Sequence, residues 1–575
     1  MVRVFQPENP LIVQSDRSVL AEVASPRFGT VRDLLGRFAE LEKSPEHIHT
    51  YRITPLSLWN AAASGLTAEA VVATLVAFGK YELPQNVRRD IVELMSRYGR
   101  LRLTKDDDRL LLTADDEATL ARVAGHRSVL PLVRRRIDAR SLELPPAMRG
   151  PIKQALIRLG YPAEDLAGYT DGEALDIRLR AATAGDDAPL SLRPYQREAV
   201  DAFHAGGTAR GGSGVIVLPC GAGKTLVGMG VMEAVGSSAL ILTPSTVAVR
   251  QWIDELLDKT TLSRADIGEY SGQRKEIRPV TLSTYQTMTY RRRAGGDFPH
   301  LAVFDQRQWG LIVYDEVHLL PAPVFRATAD IQARRRLGLT ATLVREDGRA
   351  DDVFSLIGPK KYDAPWRDLE AAGWIAAANC TEIRVALPDE ERLAYALADD
   401  GERFALASRN PAKLDVLERL LRAHQADSVL VIGHYIDQLQ TAASRFHIDL
   451  ITGATPVRAR TALYARLRRG EIRRLIVSKV GNFSVDLPDV SVAVQLSGTF
   501  GSRQEEAQRL GRILRPKRDG GPAHFYTLVS RETCEQDYAA HRQLFLTEQG
   551  YRYQILYGHE VPASAGAEPG RGVEP

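Results

Sequence analysis

Short runs of apolar residues, each bounded by polar and turn-forming positions, recur in two series along the chain. The first series consists of Val215–Leu218, Ala239–Thr243, Val280–Ser283, Leu311–Tyr314 and Leu337–Leu339. The second consists of Val429–Ile432, Asp449–Thr452, Leu475–Ser478, Val490–Gln495 and His524–Leu528. Runs rich in Val, Ile and Leu are typical of parallel strands buried on both faces, and the helical patterns between them indicate βαβ units. The sequence therefore predicts an α/β fold with two open parallel sheets, whose ligands bind at the strands' carboxyl ends in a shared cleft.

The region before these series has a different pattern. Apolar residues fall at helical spacing in three segments, Val31–Leu41, Ser57–Ala63 and Ala68–Phe78, and strand-like runs follow at Leu101–Thr104 and Leu110–Thr113. A small, polar stretch at 182–187 indicates a boundary, and the last residues lack the apolar content that would offset the entropy of ordering them. We therefore predict small α/β domains at 1–100 and 101–185, two lobes at 186–362 and 363–557, and a disordered tail at 558–575.

Composition excludes some classes of protein. A net charge of +3 decides nothing, but no segment approaches the ~20 apolar residues that span a membrane. Three scattered cysteines, Cys220, Cys380 and Cys534, form no disulfide or zinc pattern and favour a reducing cytoplasm. Three clusters of cations could contact phosphates or form a solvated face: 291–293, 334–336 and 466–474.

The strongest motif is PCGAGKT at 219–225, between a predicted strand and a predicted helix. Gly221 and Gly223 would let backbone N–H groups approach phosphate oxygens at the positive end of the helix. Lys224 would contact the β- and γ-phosphates of ATP, and the Thr225 hydroxyl would bind Mg²⁺. The usual first glycine of this loop is replaced by Leu218.

Two further segments would complete a site for hydrolysis. Asp315 and Glu316 follow a buried strand, where Asp315 would anchor Mg²⁺ and Glu316 would orient or deprotonate the attacking water. In the second series, Gln508, Arg512 and Arg515 are spaced to share one helix face. Since arginine from a second lobe can stabilise the transferring phosphoryl group, hydrolysis would require the lobes to close.

Together these segments resemble superfamily 2 helicases. RPYQ at 193–196, GAGKT, DEVH, TAT at 340–342 and QRLGRILR at 508–515 carry the resemblance. RED at 345–347 narrows the resemblance to one family, because this triplet shortly after TAT is similar to the signature of the XPB (ERCC-type) DNA repair helicases. HTYRITPLSLWNAAASGL at 49–66 and HRQLFLTEQGYRYQIL at 541–556 are also similar to that family. The long acidic insertion of eukaryotic members is missing before the motor, which favours a prokaryotic form.

The resemblance implies two RecA-like lobes forming a 3′→5′ DNA translocase for excision repair, which acts at junctions of single-stranded and duplex DNA. It places Arg193 and Gln196 at the nucleotide base, and Asp486 at the nucleotide from the second lobe. Thr340 and Thr342 would couple hydrolysis to lobe movement, and Arg345, Glu346 and Asp347 would act in strand separation. For His318 two roles stay open, coupling of the nucleotide state to the other lobe and a simple hydrogen-bonding role. Contacts to the DNA backbone are expected from Thr243, Ser283, Thr284 and Gly481. A repair nuclease is a candidate partner, and residues 101–185 occupy the place of the family's damage-recognition domain.

Three other functions stay open. An RNA helicase would share the ATPase core, although QRLGR differs from the HRIGR common in RNA helicases of the D-E-A-D type. A remodelling switch that opens DNA locally for a partner needs the same ATPase residues as a helicase. A DNA-binding module with a decayed ATPase is disfavoured, because every chemical role is filled.

Overall fold

The computed structural model describes residues 5–561 except for residues 46, 108, 220, 273, 294–297, 333, 342–349, 365–368, 370–371, 375–377, 479–489, 499–522 and 549–552. The described residues form four sheets, two small ones followed by two with seven parallel strands each. The predicted fold class is thereby confirmed.

The N-terminal domain has one antiparallel sheet, with the strand order β1-β2-β4-β3, covered by four helices. Its strands are β1 Leu11–Val13, β2 Ser18–Glu22, β3 Glu40–Lys43 and β4 Ile48–Arg52, and its helices are α1 Phe28–Leu35, α2 Pro55–Ala63, α3 Ala68–Phe78 and α4 Gln85–Arg97. Thr54 and Ser57 cap α2 reciprocally, which fixes where that helix begins. The predicted helix at 31–41 is wrong in extent: α1 stops at Leu35, and Leu41 is a buried residue of β3.

The second domain has a mixed sheet with the strand order β7-β8-β6-β5-β9. Its elements are β5 Leu101–Asp106, β6 Arg109–Ala114, β7 Arg135–Arg136, β8 Ser141–Leu144, β9 Ala163–Asp165, α5 Glu117–Ala124 and α6 Arg149–Arg158. Asp165 is buried between Arg149 and Lys153, with a distance of 2.8 Å to a side-chain nitrogen of each. This pairing joins β9 to α6.

The first lobe has the strand order β12-β13-β11-β14-β15-β10-β16. Its strands are β10 Ser213–Val217, β11 Ala239–Thr243, β12 Ile267–Tyr270, β13 Val280–Thr284, β14 Leu311–Asp315, β15 Arg335–Thr340 and β16 Lys360–Asp363. Its helices are α7 Pro194–His204, α8 Lys224–Val235, α9 Thr246–Lys259, α10 Tyr285–Met288, α11 Ala322–Asp330 and α12 Ala350–Asp352, which continues into a π-helical turn, Val353–Ile357. All strand pairs are parallel, so the carboxyl ends of the strands meet at one edge of the sheet.

The second lobe repeats this arrangement, with the strand order β19-β20-β18-β21-β22-β17-β23. Its strands are β17 Ala378–Val385, β18 Val429–Gly433, β19 Leu450–Ile451, β20 Arg474–Ser478, β21 Val492–Gln495, β22 Ala523–Ser530 and β23 Tyr553–Tyr557. Its helices are α13 Asp389–Leu397, α14 Asp400–Ser408, α15 Ala412–Ala423, α16 Ile436–Phe446, α17 Val457–Arg468 and α18 Cys534–Glu548. Inside it, the buried Lys413 of α15 forms an ion pair of 2.8 Å with Glu535 of α18.

The small domains pack against the motor. A Cβ atom on Gly150 of α6 would lie 2.3 Å from the carbonyl oxygen of Ala329, so α6 touches the backbone of α11 in lobe 1. The N-terminal domain contacts lobe 1 through Asn60, whose Oδ1 accepts from the backbone N–H of Lys360 at 2.9 Å. It also contacts lobe 2, because Leu544 of α18 belongs to the N-terminal apolar core and is 3% exposed. The N-terminal domain therefore bridges the two lobes.

Within the described part of the chain, no single helix is both long and apolar enough to cross a membrane. The consecutive helices α2 and α3 meet that length and composition only when counted together, and they are bent by 117°.

Candidate nucleotide site and helicase motifs

The loop that follows β10 leads directly into α8, and its glycines have the backbone conformation that phosphate loops require. Gly221 and Gly223 have φ angles of +82° and +80°, a region that favours glycine. A Cβ atom on Gly223 would also lie 2.5 Å from Nε2 of Gln196. The helix begins at Lys224, so the N–H groups of its first turn and the positive end of its dipole face the loop. Half-buried Thr225 lies in that turn.

The start of α7 is fastened to this loop by its side chains. Gln196 is 2% exposed, and its Nε2 donates to the carbonyl oxygen of Ala222 at 3.0 Å. Its Oε1 accepts from the backbone N–H of Arg193 at 2.9 Å. The Tyr195 hydroxyl donates to the same carbonyl of Ala222 at 2.7 Å. Arg193 and Gln196, both predicted at the nucleotide base, therefore lie beside the phosphate loop.

The acidic pair lies at the end of β14, opposite the phosphate loop. Lys224 Nζ is 2.7 Å from Glu316 Oε1, and the two side chains are only 13% and 15% exposed. Glu316 has a φ of +51°, an uncommon conformation for a residue with a side chain. The sequence predicted both residues in one site, and the structure brings them into direct contact.

Asp315 is held from two sides by aromatic residues. Trp252 Nε1 donates to its Oδ2 at 3.0 Å, and the Tyr285 hydroxyl donates to its backbone carbonyl at 2.7 Å. Burial, together with the neighbouring Glu316 carboxylate, raises the pKa of Asp315 to about 6. Burial also acts to raise the pKa of Glu316, but Lys224 and His318 outweigh it and leave this pKa below its ordinary value. The two adjacent carboxyls therefore differ in proton affinity, with Glu316 the stronger acid.

His318 connects the ends of two strands. Its Nδ1 is 2.6 Å from the hydroxyl of Thr340 at the end of β15 and 3.6 Å from Glu316 Oε2. A change at Glu316 can therefore reach β15 through one imidazole ring. This is the kind of contact expected from residues that couple hydrolysis to motion.

The predicted backbone-tracking residues of lobe 1 are buried at the carboxyl ends of β11 and β13. Thr243, Ser283 and Thr284 are 0%, 1% and 4% exposed. The Ser283 hydroxyl donates to the carbonyl of Tyr270 at 2.6 Å, and the Thr284 hydroxyl accepts from the backbone N–H of Thr287, which caps α10. These hydroxyls are thus used internally.

The oxygen donors of this edge fit Mg²⁺. Thr225 offers a hydroxyl and Asp315 a carboxylate, and Mg²⁺ is usually held by one or two carboxylates together with substrate phosphates and water. In the part of the chain that the structure describes, no group of three or more His, Cys, Asp or Glu residues could hold a metal by itself. A bound nucleotide would offer phosphate oxygens as further ligands.

Other predicted site residues lie outside the described residues, and they stay predictions: Thr342, Arg345, Glu346, Asp347, Gly481, Asp486, Gln508, Arg512 and Arg515.

Sequence reasoning missed four side chains of the site. Trp252 and Tyr285 are buried and hold Asp315. Tyr195 supports the phosphate loop, and Trp374 lies under Arg193, with the guanidinium carbon 4.4 Å from a ring centroid. Their ring N–H, hydroxyl and π face act on residues distant in sequence, so no local spacing could have indicated these roles. The predicted cationic cluster at 334–336 is not exposed throughout. Arg336 is fully buried and donates to the carbonyl of Leu356.

Comparison with protein-family models matches three parts of the chain. Residues 369–565 match the ERCC3/RAD25/XPB C-terminal helicase, and residues 189–345 match the res subunit of type III restriction enzymes. Residues 11–138 match a model described as a helicase conserved C-terminal domain. Among solved structures, a DNA-bound type ISP restriction-modification enzyme, LlaBIII, is similar with a TM-score of 0.50 and 14% identity, over 66% of this chain and 32% of that chain. At that identity the likeness shows the fold alone.

Curated relatives match over nearly the whole chain. A protein of Kineococcus radiotolerans named DNA 3′-5′ helicase XPB is 57% identical, over 98% of this chain and all 100% of the relative. A protein of the same name from Mycobacterium tuberculosis is 55% identical, over 95% of this chain and 98% of the relative. A third relative is the helicase/translocase subunit XPB/SSL2 of the general transcription and DNA repair factor IIH from Saccharomyces cerevisiae. It is 32% identical, over 97% of this chain and 74% of the relative. The chain belongs to the XPB family of DNA 3′-5′ helicases.

Proposed function

We propose that this protein is an ATP-driven 3′→5′ DNA helicase or translocase that opens DNA in nucleotide excision repair. The observation that carries the proposal is the contact between Lys224 of the phosphate loop and Glu316 of the acidic pair, at 2.7 Å. It brings a phosphate-binding cation and a group that can activate water into one buried site. The names of the bacterial relatives support DNA as the substrate and 3′→5′ as the direction.

Hydrolysis follows from the placement of these groups. When ATP binds, Lys224 exchanges Glu316 for the β- and γ-phosphates, because a triphosphate offers it more negative charge. Glu316 is then free to accept a hydrogen bond from the attacking water. Thr225 and Asp315 would hold Mg²⁺, which would neutralise negative charge on the phosphates. Arg193 and Gln196, beside the loop, would contact the base.

Lobe 2 would complete the site. We assign Gln508, Arg512 and Arg515 to stabilising the transferring phosphoryl group, and Asp486 to contacting the nucleotide. His318, just after β14, contacts Thr340 at the end of β15. Loss of the γ-phosphate would therefore shift the end of β15, where the segment that contains Thr342 begins. We assign strand separation to Arg345, Glu346 and Asp347, and DNA-backbone contacts to the segments of Thr243, Ser283, Thr284 and Gly481.

The partners follow from the same function. Junctions of single-stranded and duplex DNA are the proposed substrate, and the nucleoid is the proposed location. A nuclease that incises the opened strand is the proposed protein partner, since opening alone removes no damage. We assign damage recognition to residues 101–185 and retain the division into 1–100, 101–185, 186–362 and 363–557 as a proposal.

The test is strand displacement on matched 3′-tailed and 5′-tailed DNA duplexes and a 3′-tailed RNA duplex. Wild-type protein and a Glu316→Gln variant are compared with ATP and Mg²⁺. Displacement of the 3′-tailed DNA alone, lost in the variant, is the expected result. Displacement of the RNA duplex would make the protein an RNA helicase, and DNA-stimulated hydrolysis without displacement would make it a remodelling switch.

A further inference from the structure

Aromatic and cationic side chains gather beside the carboxyl ends of β12 and β13, at the side of lobe 1. The rings of Tyr270 and Tyr290 lie 5.7 Å and 5.9 Å from the ring of His300. Lys275 Nζ is 4.2 Å from the centroid of the Tyr270 ring and 3.4 Å from His300 Nδ1. Arg291 stacks on Phe298, 4.7 Å from its centroid. We call this group, Tyr270, Lys275, Tyr290 to Arg293, Phe298 and His300, the edge platform.

The edge platform is open to solvent on one side. Tyr290 is 54% exposed, and Arg291, Arg292 and Arg293 are all exposed. Burial of a phenol ring removes apolar area from water and lowers the free energy of the folded state, and the exposed ring of Tyr290 forgoes part of this stabilisation. Neither packing nor the hydrogen bonds of the described residues explain why the ring stands out from the surface.

The charge of the edge platform is positive. Residues 289–300 contain three arginines and one aspartate, Asp297. The carboxylates on the neighbouring strand and turn, Glu269 and Glu276, already have partners in Arg274 and Arg278. Burial, Lys275 and Arg292 all lower the pKa of His300, which favours the neutral form of its ring. Among the described residues, Arg291, Arg292 and Arg293 have no carboxylate within ion-pair distance.

The edge platform is separate from the nucleotide site but lies at the same edge of the sheet. In the strand order, β13, β11, β14 and β15 stand between β12 and β10. Five strand spacings amount to roughly 24 Å, too far for a nucleotide in the phosphate loop to reach. Thr284, at the end of β13, is followed by α10, and Tyr290 of the edge platform comes two residues after that helix. It therefore extends laterally from the segment assigned to the DNA backbone.

We propose that the edge platform binds single-stranded DNA, with a base stacked on Tyr290 and His300 and phosphates on Arg291 to Arg293. This inference rests on the proposed function, of which it names a further contact. A base offers its face to an aromatic ring only when it is unpaired, whereas a duplex would offer only phosphates. Aromatic rings interleaved with cations therefore select a single strand over a duplex.

The first test is Tyr290→Ala, measured by fluorescence anisotropy with a single-stranded DNA and a blunt duplex of the same length. Single-strand affinity should fall between about 5-fold and about 150-fold, the range for loss of one base stack, while duplex affinity changes little. Tyr290→Phe should restore binding, because stacking needs the ring and not the hydroxyl. Tyr81→Ala is the matched control, since Tyr81 is 57% exposed on the N-terminal domain. ATP hydrolysis without DNA should be the same in all four proteins.

The second test measures the phosphate contacts. Replacing Arg291, Arg292 and Arg293 by Ala should reduce the slope of log Kd against log salt by about 2, since each phosphate contact on a single strand contributes about 0.7. Wild-type affinity in Tyr290→Ala with an unchanged salt slope in the triple variant would overturn the inference while the helicase function stands. A wild-type protein that binds no DNA would instead refute the proposed function.

Discussion

Glu316→Gln should strengthen the binding of ATP and slow its hydrolysis, because it removes the ion pair between Glu316 and Lys224. In the nucleotide-free protein, Lys224 is held by Glu316 at 2.7 Å, with both side chains at most 15% exposed. Binding of ATP must break this pair. A neutral glutamine still accepts a hydrogen bond from Lys224 but without its charge, so less interaction is lost when the lysine turns to the phosphates.

The size of the effect follows from burial. Exposed ion pairs contribute about 0.2–1 kcal/mol, and breaking fully buried ones costs about 3–5 kcal/mol. A pair this deeply placed lies between these limits, so removing its charge should recover about 1 kcal/mol. ATP should therefore bind the variant about 5-fold more tightly. Hydrolysis should fall by about 10²–10⁴, the usual contribution of a general base.

The assay is titration of a fluorescent ATP analogue, with single-turnover hydrolysis measured in parallel. Glu316→Asp is the control, because it keeps the charge but shortens the reach to Lys224. Weaker binding of ATP by Glu316→Gln would refute this reasoning, since it would mean that Glu316 helps to hold the nucleotide. Retained turnover would remove Glu316 from the chemistry.

Three further outcomes are expected. Lys224→Ala should abolish hydrolysis and keep DNA affinity within a few-fold in an anisotropy titration, because Lys224 lies in the phosphate loop and not in a segment assigned to DNA; normal turnover would contradict the site. Arg512→Ala should lower kcat by about 10³ or more with little change in ATP affinity, as expected for an arginine finger, and full activity would exclude closure of lobe 2 on the nucleotide. Lys413→Met should destabilise lobe 2 by about 3–5 kcal/mol in urea unfolding, because it leaves Glu535 buried and unpaired. The double variant with Glu535→Leu should recover much of that loss, and equal destabilisation of both proteins would show that the charge pair is not the cause.

The central strands of both lobes could be predicted because their composition follows from burial. Every residue of β11 and β18 is buried, so both read as unbroken apolar runs. Of the strands described in the two lobes, four were not predicted: β12, β16, β17 and β23. Three of them are edge strands, and β16 is nowhere fully buried, so its sequence, KKYD, is as polar as a loop. Strand β17 is internal but polar, since Glu382 is paired with Arg384 instead of being replaced by an apolar residue.

The candidate site shows the same division. The phosphate loop and the acidic pair are contiguous motifs whose spacing carries their chemistry, and they could be identified in the sequence. The supports of Asp315 could not, because Trp252 and Tyr285 come from α9 and α10, and only the order of β11, β13 and β14 brings them to one residue, Trp252 at its carboxylate and Tyr285 at its backbone carbonyl. Sheet order is a property of the whole lobe and leaves no local pattern.

The placement of Leu544 has a consequence for how the chain is made. The core of the N-terminal domain includes a leucine from α18, a helix of lobe 2 that is synthesised much later. Domains generally fold as units in the order of synthesis, so the N-terminal domain must wait through the translation of both lobes with part of its apolar surface uncovered. Burial of Leu544 then joins the last helix to the first sheet, and it closes the molecule only when lobe 2 is nearly complete. A chain whose synthesis stops before α18 would leave this apolar surface exposed. Chaperones or proteases that bind exposed apolar surfaces could then distinguish it from the complete protein.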